Sequence, residues 1–272
     1  MVGRKQIGGN VAAAAVAGVA QPSMFNALDC LRIRWQAATT SRARTWGFAA
    51  EVIAREGLWR GLWRPGLGAN ILAVSSSQGL RMGFYPYFRD ALAPAAASRP
   101  PWAMACAGLV TGAVAYLVTA PLWLLKTRAQ AAAELDGRAP LLWRPDMVPS
   151  GAAGLWRGAS ALVVRGGLIT SGQLLGYDFT KSRLKARGVP DGPPLHLLAS
   201  TAAALSAAAL AAPADALQTR YQTTKSRGSV WACARAMATE GGPRVFFRGS
   251  SAQFARLVPT FALGATIYEQ AR

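Results

Sequence analysis

The sequence predicts an all-α membrane protein with six transmembrane helices, arranged as three repeats of two helices each. Three long runs contain no Asp, Glu, Lys or Arg, namely residues 6–28, 102–125 and 193–214. Each run has at least 22 residues. That length crosses a hydrocarbon core of about 30 Å at a rise of about 1.5 Å per residue. A single run would also fit a buried helix or a signal peptide, but three runs at nearly equal spacing indicate a bilayer.

The charge of the chain is high for so hydrophobic a sequence. The formal net charge is +18, although 52% of the residues are hydrophobic and the mean hydropathy is +0.20. A soluble domain this basic would favour nucleic-acid binding. The basic residues instead cluster at the ends of the uncharged runs, so we expect a membrane protein with no nucleic-acid partner. The alternative is an Ala-rich soluble helical protein.

The sequence carries no pattern typical of an enzyme or a metal site. The cysteines Cys30, Cys106 and Cys233 lack metal-ligand spacing and are typical of packing residues in a membrane or a reducing compartment. Neither an acid–base pair nor a nucleotide-binding loop is present in the sequence. We therefore expect no enzymatic activity, no metal and no cofactor.

Three landmarks recur along the chain with one period. The segments NALDCLRIRWQ, TAPLWLLKTRAQ and AAPADALQTRYQ align on Asp29, Trp123 and Asp215, which are 94 and 92 residues apart. An aromatic-Arg-Gly turn follows each segment, at 58–61, 155–158 and 246–249, and its aromatic residues are 97 and 91 residues apart. Tyrosines 92 and 91 residues apart close the repeats: Tyr85, Tyr177 and Tyr268. A shared period indicates repeated structural units, and we place them at 1–95, 96–187 and 188–272.

Each repeat is predicted to hold two membrane helices joined by a polar loop. The predicted membrane helices are 8–38, 67–92, 102–132, 159–185, 194–223 and 250–271. Short amphipathic loop helices are expected at 46–55 in the first repeat and 230–239 in the third. The second loop contains Pro145, Pro149 and Gly151, which disfavour a full helix, so we expect a short or irregular segment there.

Arginines interrupt the otherwise uncharged bodies of the even-numbered membrane helices: Arg81, Arg165 and Arg256. An arginine near the middle of a bilayer costs about 2.5–3.5 kcal/mol, and such residues normally face a water-filled cavity. Gln173 is the counterpart of Arg81 in the fourth helix. We predict that these four side chains bind a small anion such as a carboxylate or sulfate, which the planar fork of arginine suits. The alternative is that some of the arginines extend to the membrane interface.

The repeated pattern of proline, acid, two bases and glutamine, followed by aromatic-basic-Gly, resembles the mitochondrial carrier family over the whole chain. The resemblance implies a monomeric, pseudo-threefold six-helix barrel in the mitochondrial inner membrane, with the loop helices on the matrix side. It also implies alternating access between two rings of ion pairs. Ala27 stands where the first proline belongs, and Pro22, about one turn earlier, is the candidate to replace it.

The resemblance implies a matrix gate in which each acid pairs with the base of the next odd-numbered helix. The expected pairs are Asp29 with Lys126 and Asp215 with Arg32, whereas Trp123 and Gln218 leave the third pair absent. The family braces these pairs with glutamines, at Gln36, Gln130 and Gln222.

The resemblance also implies a cytoplasmic gate and lipid sites. The expected cytoplasmic pairs are Arg89 with Asp178 and Lys181 with Glu269, and Pro86 replaces the third acid. The aromatic-Arg-Gly turns match the positions where the family binds cardiolipin phosphates. These positions are Arg60, Gly61, Arg157, Gly158, Arg248 and Gly249.

Three further segments, PLWLLKTRAQ, DGPPLHLLAS and GLRMGFY, resemble the branch that holds the fungal oxaloacetate/sulfate carrier and the animal carriers called member 34 and member 35. The branch implies a transporter of small dianions such as oxaloacetate, another dicarboxylate or sulfate, and we expect it to work by antiport. One alternative is a carrier of another kind, such as a proton-leak carrier or a nucleotide carrier. A nucleotide is disfavoured, because Arg165-Gly166 departs from the family's adenine-nucleotide pattern. Another alternative is a carrier-fold scaffold that does not transport.

Overall fold

A computed structural model of the chain describes residues 4–38, 45–92, 101–137, 140–142, 144–148, 151–190, 192–224 and 228–255. Five long helices form its frame. They are α1 (Arg4–Ala37), α3 (Leu67–Leu92), α4 (Pro101–Asp136), α5 (Ala159–Ala186) and α6 (Pro193–Thr223). A further helix begins at residue 250 and is described as far as residue 255.

The predicted all-α fold is confirmed. The shortest of the five long helices has 26 residues, which is about 39 Å at about 1.5 Å per residue and therefore enough to span a bilayer. The described ends of the long helices lie within about four residues of the predicted ends, which is the ordinary uncertainty of helix boundaries. Within the described ranges no residue lies in a β-strand.

The loops between paired membrane helices also match the prediction. Helices α2 (Thr45–Glu56) and α7 (Val230–Gly241) occupy the loops of the first and third repeats. The second loop holds two short 3-10 turns, Pro145–Met147 and Ala152–Trp156. Proline lacks the backbone N–H that a longer helix would need, so this loop stays irregular.

Neighbouring helices pack in chain order. Helix α1 packs on α3, α3 on α4, α4 on α5 and α5 on α6, while α1, α4 and α6 also contact one another. Small residues permit the closest approaches. A Cβ atom added at Gly172 of α5 would lie 2.5 Å from Ala207 Cα of α6, and one added at Gly18 of α1 would lie 2.7 Å from Ser75 Cα of α3. These backbones therefore meet without intervening side chains.

Apolar side chains cover the outward faces of the long helices. On α4, Val110, Val114, Leu117 and Val118 are exposed, and their spacing places them on one helix face. Two described segments, Cys106–Ala132 and Leu197–Thr223, are long and apolar enough to cross a membrane by length and composition. A broad exposed apolar surface of this kind fits contact with lipid.

Candidate functional site

Helices α1, α4 and α6 are the first, third and fifth membrane helices, which we call odd-numbered. They bring four charged side chains together in the interior. Lys126 Nζ lies 2.6 Å from Asp29 Oδ2, and Arg32 Nη1 donates a hydrogen bond to Asp215 Oδ2. These are the two contacts expected from the sequence. Arg32 Nη2 also lies 3.1 Å from Asp29 Oδ1, so the two pairs are joined. All four side chains are buried, so each charge depends on its partners for stability.

A fifth charge comes from α5, which is the fourth membrane helix and therefore even-numbered. Arg165 is buried, and its Nε donates to Asp215 Oδ1. The otherwise uncharged body of its own helix offered Arg165 no compensating acid, so this contact was not among the predictions. The carboxylate that compensates it lies on the neighbouring helix α6, because a long arginine side chain reaches from one helix to the next.

These five residues form what we call the ionic chain, in the order Lys126, Asp29, Arg32, Asp215 and Arg165. Three cations alternate with two carboxylates, so its formal charge is +1. Arg165 Nη1 is buried and has no hydrogen-bond partner among the described residues. The arginine fork at this end of the ionic chain is therefore only partly engaged.

Trp123 occupies the position where the third acid would stand. Lys126 Nζ lies 4.6 Å and Arg165 Cζ 5.8 Å from the centre of its ring. Tyr116 meets the same ring edge to face, at 5.8 Å between ring centres. The negative face of an aromatic ring attracts cations, so Trp123 contacts both cationic ends of the ionic chain rather than simply leaving a gap.

Neutral polar residues at the starts of even-numbered membrane helices contact the ionic chain. Asn70 Nδ2 donates to Asp29 Oδ2 at 3.2 Å, and Arg32 Nη1 donates to Gln253 Oε1 at 3.1 Å. Neither residue was predicted from the sequence. The signal was present, because each lies four positions after a glycine, Gly66 or Gly249, that directly precedes its helix.

The three expected bracing glutamines contact other groups. Gln36 donates to the carbonyl of Arg248 at 2.9 Å, Gln130 donates to Asn26 Oδ1 at 2.9 Å, and Gln222 accepts from Gln218 at 3.3 Å. Each of the three is buried. In the part of the chain that the structure describes, none of these hydrogen bonds reaches a charged side chain of the ionic chain, so the expected bracing is not seen.

The glutamines instead mark the contacts between repeats. A Cβ atom added at Gly66, Gly158 or Gly249 would lie 2.7, 3.0 or 3.5 Å from the Cγ of Gln130, Gln222 or Gln36, respectively. All three glycines have positive φ angles, from 61° to 82°, where glycine is favoured. Each glutamine therefore packs on a turn glycine of a neighbouring repeat.

This threefold match corrects the turn assigned to the first repeat. Gly158 and Gly249 directly precede their helices, and the first-repeat equivalent is Gly66, before α3. Gly61 lies inside a π-helical turn, Trp59–Trp63. The Trp-Arg pair occurs twice in the first repeat, at 59–60 and 63–64. The spacing of 97 residues from Trp59 to Trp156 is about five longer than the period, which indicates that the second copy belongs to the turn.

The predicted lipid site at Arg60 and Gly61 does not fit this geometry. The Gly61 amide donates to the Gly57 carbonyl at 2.9 Å, so it is not free to bind a phosphate. At the true helix start, the amides of Gly66 and Gly68 donate to the carbonyls of Pro140 and Leu141 at 2.8 and 3.0 Å. The second loop therefore occupies the N-terminal end of α3, where an anion would otherwise bind.

The arginines of the other two turns hold the ends of odd-numbered membrane helices. Arg157 donates to the Tyr221 carbonyl at 3.2 Å, and its guanidinium lies 4.7 Å from the Tyr221 ring centre. Arg248 donates to the Ala38 carbonyl at 3.0 Å and lies 5.1 Å from the Trp35 ring centre. These contacts connect adjacent repeats.

A second set of arginines anchors the loops. Arg34 binds Glu56 at 2.7 Å and Glu134 at 3.0 Å, and Arg220 binds Glu240 at 2.7 Å. Arg128, at the same position of the second repeat, donates to the Met147 and Gln222 carbonyls instead. These contacts were not predicted. Their signal in the sequence was the second base of each repeated segment, together with the Glu-Gly pair at the end of α2 and of α7.

The hydrogen bonds from Arg34 hold the pKa of the Glu56 carboxyl below its usual value, outweighing the effect of its partial burial. Glu56 lies at the end of α2, outside the membrane-spanning helices.

The predicted cytoplasmic gate is described only in part. Arg89 Nη2 lies 3.0 Å from Asp90 Oδ1, and Lys181 Nζ lies 5.7 Å from the Tyr177 ring centre. The Asp178 side chain and Glu269 lie outside the described residues. The same holds for two predicted anion-binding groups, the Gln173 side chain and Arg256, whereas Arg81 lies half-buried on α3.

Five long helices that meet at a buried chain of charges, in a chain with three sequence repeats, define an α-helical membrane carrier. The family model described as "Mitochondrial carrier protein" matches residues 3–95, 97–188 and 190–272, so the chain belongs to the mitochondrial carrier family. It is accordingly a multi-pass transporter of the mitochondrial inner membrane.

Curated relatives carry the name "Mitochondrial brown fat uncoupling protein 1". The protein of Canis lupus familiaris is 32% identical over 223 residues, covering 78% of this chain and 71% of the relative. That of Dicrostonyx groenlandicus is 29% identical over 252 residues, covering 88% and 82%. That of Bos taurus is 34% identical over 161 residues, covering 56% and 52%. These relatives do not bear on the oxaloacetate/sulfate branch, so that resemblance remains a prediction.

Proposed function

We propose that this carrier moves a small dianion, such as oxaloacetate, another dicarboxylate or sulfate, across the inner membrane by antiport. The observation that carries this proposal is the charge imbalance of the ionic chain. Its three buried cations face two carboxylates, and Arg165 Nη1 has no partner in the described structure. Arginine binds carboxylate and sulfate through two parallel hydrogen bonds, so an anion is the ligand that this site best accommodates.

In this proposal the ionic chain is the matrix gate. The contacts of Asp29 and Asp215 with bases on neighbouring helices hold α1, α4 and α6 together. The gate at the other end of the helices uses Arg89, Asp178, Lys181 and Glu269. Only one gate is closed at a time, which gives alternating access. Because most matrix-gate charges are retained, transport is favoured over a scaffold role.

A second candidate follows from the relatives, whose printed name describes uncoupling proteins. In that case the chain dissipates the proton gradient rather than exchanging dianions. The same positively charged site would then bind an anionic activator or a proton carrier.

The test is transport by purified protein in liposomes. Vesicles loaded with malonate should take up labelled oxaloacetate, malate or sulfate, and empty vesicles should take up much less. The Arg165→Gln variant should lose uptake, because it removes the partly engaged fork. Arg183→Gln removes an exposed arginine from the same helix and should transport normally. Proton flux without exchange of any anion would support the second candidate and contradict the first.

We also propose that cardiolipin binds at the starts of α5 and of the helix from residue 250. The first hydrogen bonds of these helices run from the Leu162 amide to the Gly158 carbonyl and from the Gln253 amide to the Gly249 carbonyl. The backbone amides between each pair precede the first bonded amide, and they point out of the N-terminal end of the helix. Helix N-termini favour phosphate groups. Arg157 and Arg248 lie beside these ends.

A further inference from the structure

We propose that Trp156 is a positioning residue that fixes α4 at its internal proline, and that the matching break in α6 moves more freely because Phe247 replaces that tryptophan. Pro121 lies inside α4, and Pro213 lies inside α6. The role of Trp156 stands on its own contacts. The assignment of α6 as the mobile element of the matrix gate rests on the proposed transport function.

Pro121 removes one hydrogen bond from the backbone of α4. Proline has no N–H, so the carbonyl of Leu117, four residues earlier, loses its helical partner. Leu117 is exposed on the apolar outward face of α4. A carbonyl on such a face has no water to bind within the hydrocarbon region, and leaving it without a donor is strongly unfavourable.

Trp156 supplies the missing donor. Its Nε1 donates to the Leu117 carbonyl at 2.9 Å, a contact that we call the indole bond. Trp156 ends the 3-10 turn Ala152–Trp156, two residues before the first residue of α5 is reached at Gly158-Ala159. The indole bond therefore ties the start of α5 to the proline break in α4.

The first repeat offers a natural comparison. Trp63 Nε1 donates to the Ser23 carbonyl at 3.1 Å, and Ser23 stands four positions before Ala27, as Leu117 stands four before Pro121. Alanine keeps its N–H, so the Ser23 carbonyl still has a helical partner within α1. The same indole contact thus replaces a lost hydrogen bond in the second repeat and only adds one in the first.

The third repeat has the break without the donor. Pro213 removes the helical partner of the Ala209 carbonyl. Phe247 ends the 3-10 turn Gly242–Phe247 and, like Trp156, directly precedes an Arg-Gly pair. The glycines of the two pairs have φ angles of 81° and 82°, so the two turns share a backbone. A phenyl ring has no N–H, and Phe247 therefore cannot form an indole bond.

This difference bears on the matrix gate because each break directly precedes gate residues. Lys126 follows Pro121 on α4, and Asp215 follows Pro213 on α6. The indole bond fixes the part of α4 that carries Lys126 against α5. The part of α6 that carries Asp215 lacks this restraint from Phe247, so it changes direction at its proline at lower cost. Opening of the gate should therefore involve α6 more than α4.

Thermal unfolding tests the indole bond. Trp156→Phe keeps an aromatic ring and removes the N–H, and it should lower the melting temperature by about 3 °C. The same substitution should cost much less in a Pro121→Ala background, because residue 121 then donates to the Leu117 carbonyl. Trp63→Phe is the matched control and should also cost little, which keeps the test valid if Pro121→Ala does not fold. Equal losses in all three comparisons would reflect lost packing alone and would overturn the role of Trp156.

A gain of the indole bond tests the mobile break in α6. Phe247→Trp should raise the melting temperature by about 3 °C. In liposomes it should lower the maximal rate of malonate exchange by about fivefold, the rate equivalent of about one net hydrogen bond. The half-saturating malonate concentration should stay unchanged, because the substitution restrains a moving helix and leaves the solute site intact. Phe246→Trp, at the neighbouring position, is the control and should neither stabilise the protein nor slow exchange by this amount.

The outcomes separate this inference from the transport function. A stabilised Phe247→Trp protein that exchanges malonate at the wild-type rate overturns the mobile role of α6, and so does a change confined to the half-saturating concentration. Slower exchange at an unchanged half-saturating concentration supports it. Absence of exchange for every anion tested contradicts the proposed function, while the unfolding comparison of Trp156→Phe with Trp63→Phe still decides the role of Trp156.

Discussion

At the scale of single residues, the ionic chain is defined by shared partners. Asp29 contacts both Lys126 and Arg32, and Asp215 contacts both Arg32 and Arg165. No cation in the chain is therefore the sole partner of a carboxylate. This sharing limits the cost of losing any one contact.

We predict that Lys126 and Asp29 are energetically coupled. Lys126→Gln should destabilise the protein by less than the ~3–5 kcal/mol typical of a stranded buried charge, because Arg32 still contacts Asp29. Adding Asp29→Asn should cost little more than the first substitution. Thermal unfolding of the wild type, both single variants and the double variant gives the coupling energy. Strictly additive effects would contradict the pairing.

The Arg34–Glu56 contact predicts a pH-dependent stability. The pKa of Glu56 is lowered in the folded protein from its usual value of 4.5, so the unfolded chain binds its proton more readily. The stabilisation is present above about pH 4.5 and is lost as the pH falls through the folded pKa. Glu56→Gln should destabilise the protein at pH 7 by about 1 kcal/mol, since the side chain is partly exposed.

The measurement is thermal unfolding of the wild type and Glu56→Gln at several pH values. Their difference in melting temperature should shrink as the solution becomes more acidic than about pH 4.5. Glu51→Gln, an exposed position on the same helix, is the control and should show no such convergence. A constant difference across the pH range would rule out an ionised Glu56 as the source.

At the scale of the elements, helix pairs depend on close backbone contact. The contact of α5 with α6 places Gly172 against Ala207, and Gly176 against Ala203. Membrane helices associate through small residues of this kind, because lipid provides no hydrophobic driving force between them. The sequence spacing Gly172-x-x-x-Gly176 put both glycines on one face.

Gly172→Ala should therefore destabilise the protein by about 1–3 kcal/mol, the usual cost of overpacking. The added methyl group would lie 2.5 Å from Ala207 Cα, which is backbone and cannot move aside. Gly167→Ala on the same helix meets only Leu109 Cδ2 at an ordinary 3.7 Å, and it should be neutral or stabilising because alanine favours helix. Equal melting temperatures for the two variants would contradict the close packing.

At the scale of the whole molecule, the three repeats share a plan but differ in detail. The second repeat replaces a loop helix with irregular turns, and its residues Pro140 and Leu141 bind the start of α3. The acid of the second repeat is replaced by Trp123. These differences make the ionic chain and the starts of the second, fourth and sixth membrane helices asymmetric.

The asymmetry predicts two cardiolipin-responsive turns rather than three. Cardiolipin should raise the melting temperature in detergent, because a ligand that binds only the folded state stabilises it. Arg157→Gln or Arg248→Gln should reduce that increase, whereas Arg60→Gln should leave it unchanged. The readout is the difference in melting temperature with and without cardiolipin for each variant. An equal loss in all three variants would favour three equivalent sites.

The sequence by itself determined the repeat period, the positions of the helices and the irregular second loop. These features are local, since they follow from uncharged runs, prolines and recurring segments along one chain. The resemblance of its motifs to the mitochondrial carrier family also implied the contacts of Asp29 with Lys126 and of Arg32 with Asp215, which the structure contains.

Only the tertiary structure decided which partners lie across helix interfaces. The contact of Arg165 with Asp215, and those of Asn70 with Asp29 and of Gln253 with Arg32, depend on the register between helices. That register is set by close packing of small residues and by the reach of long side chains. Neither quantity is contained in the spacing of residues along the chain.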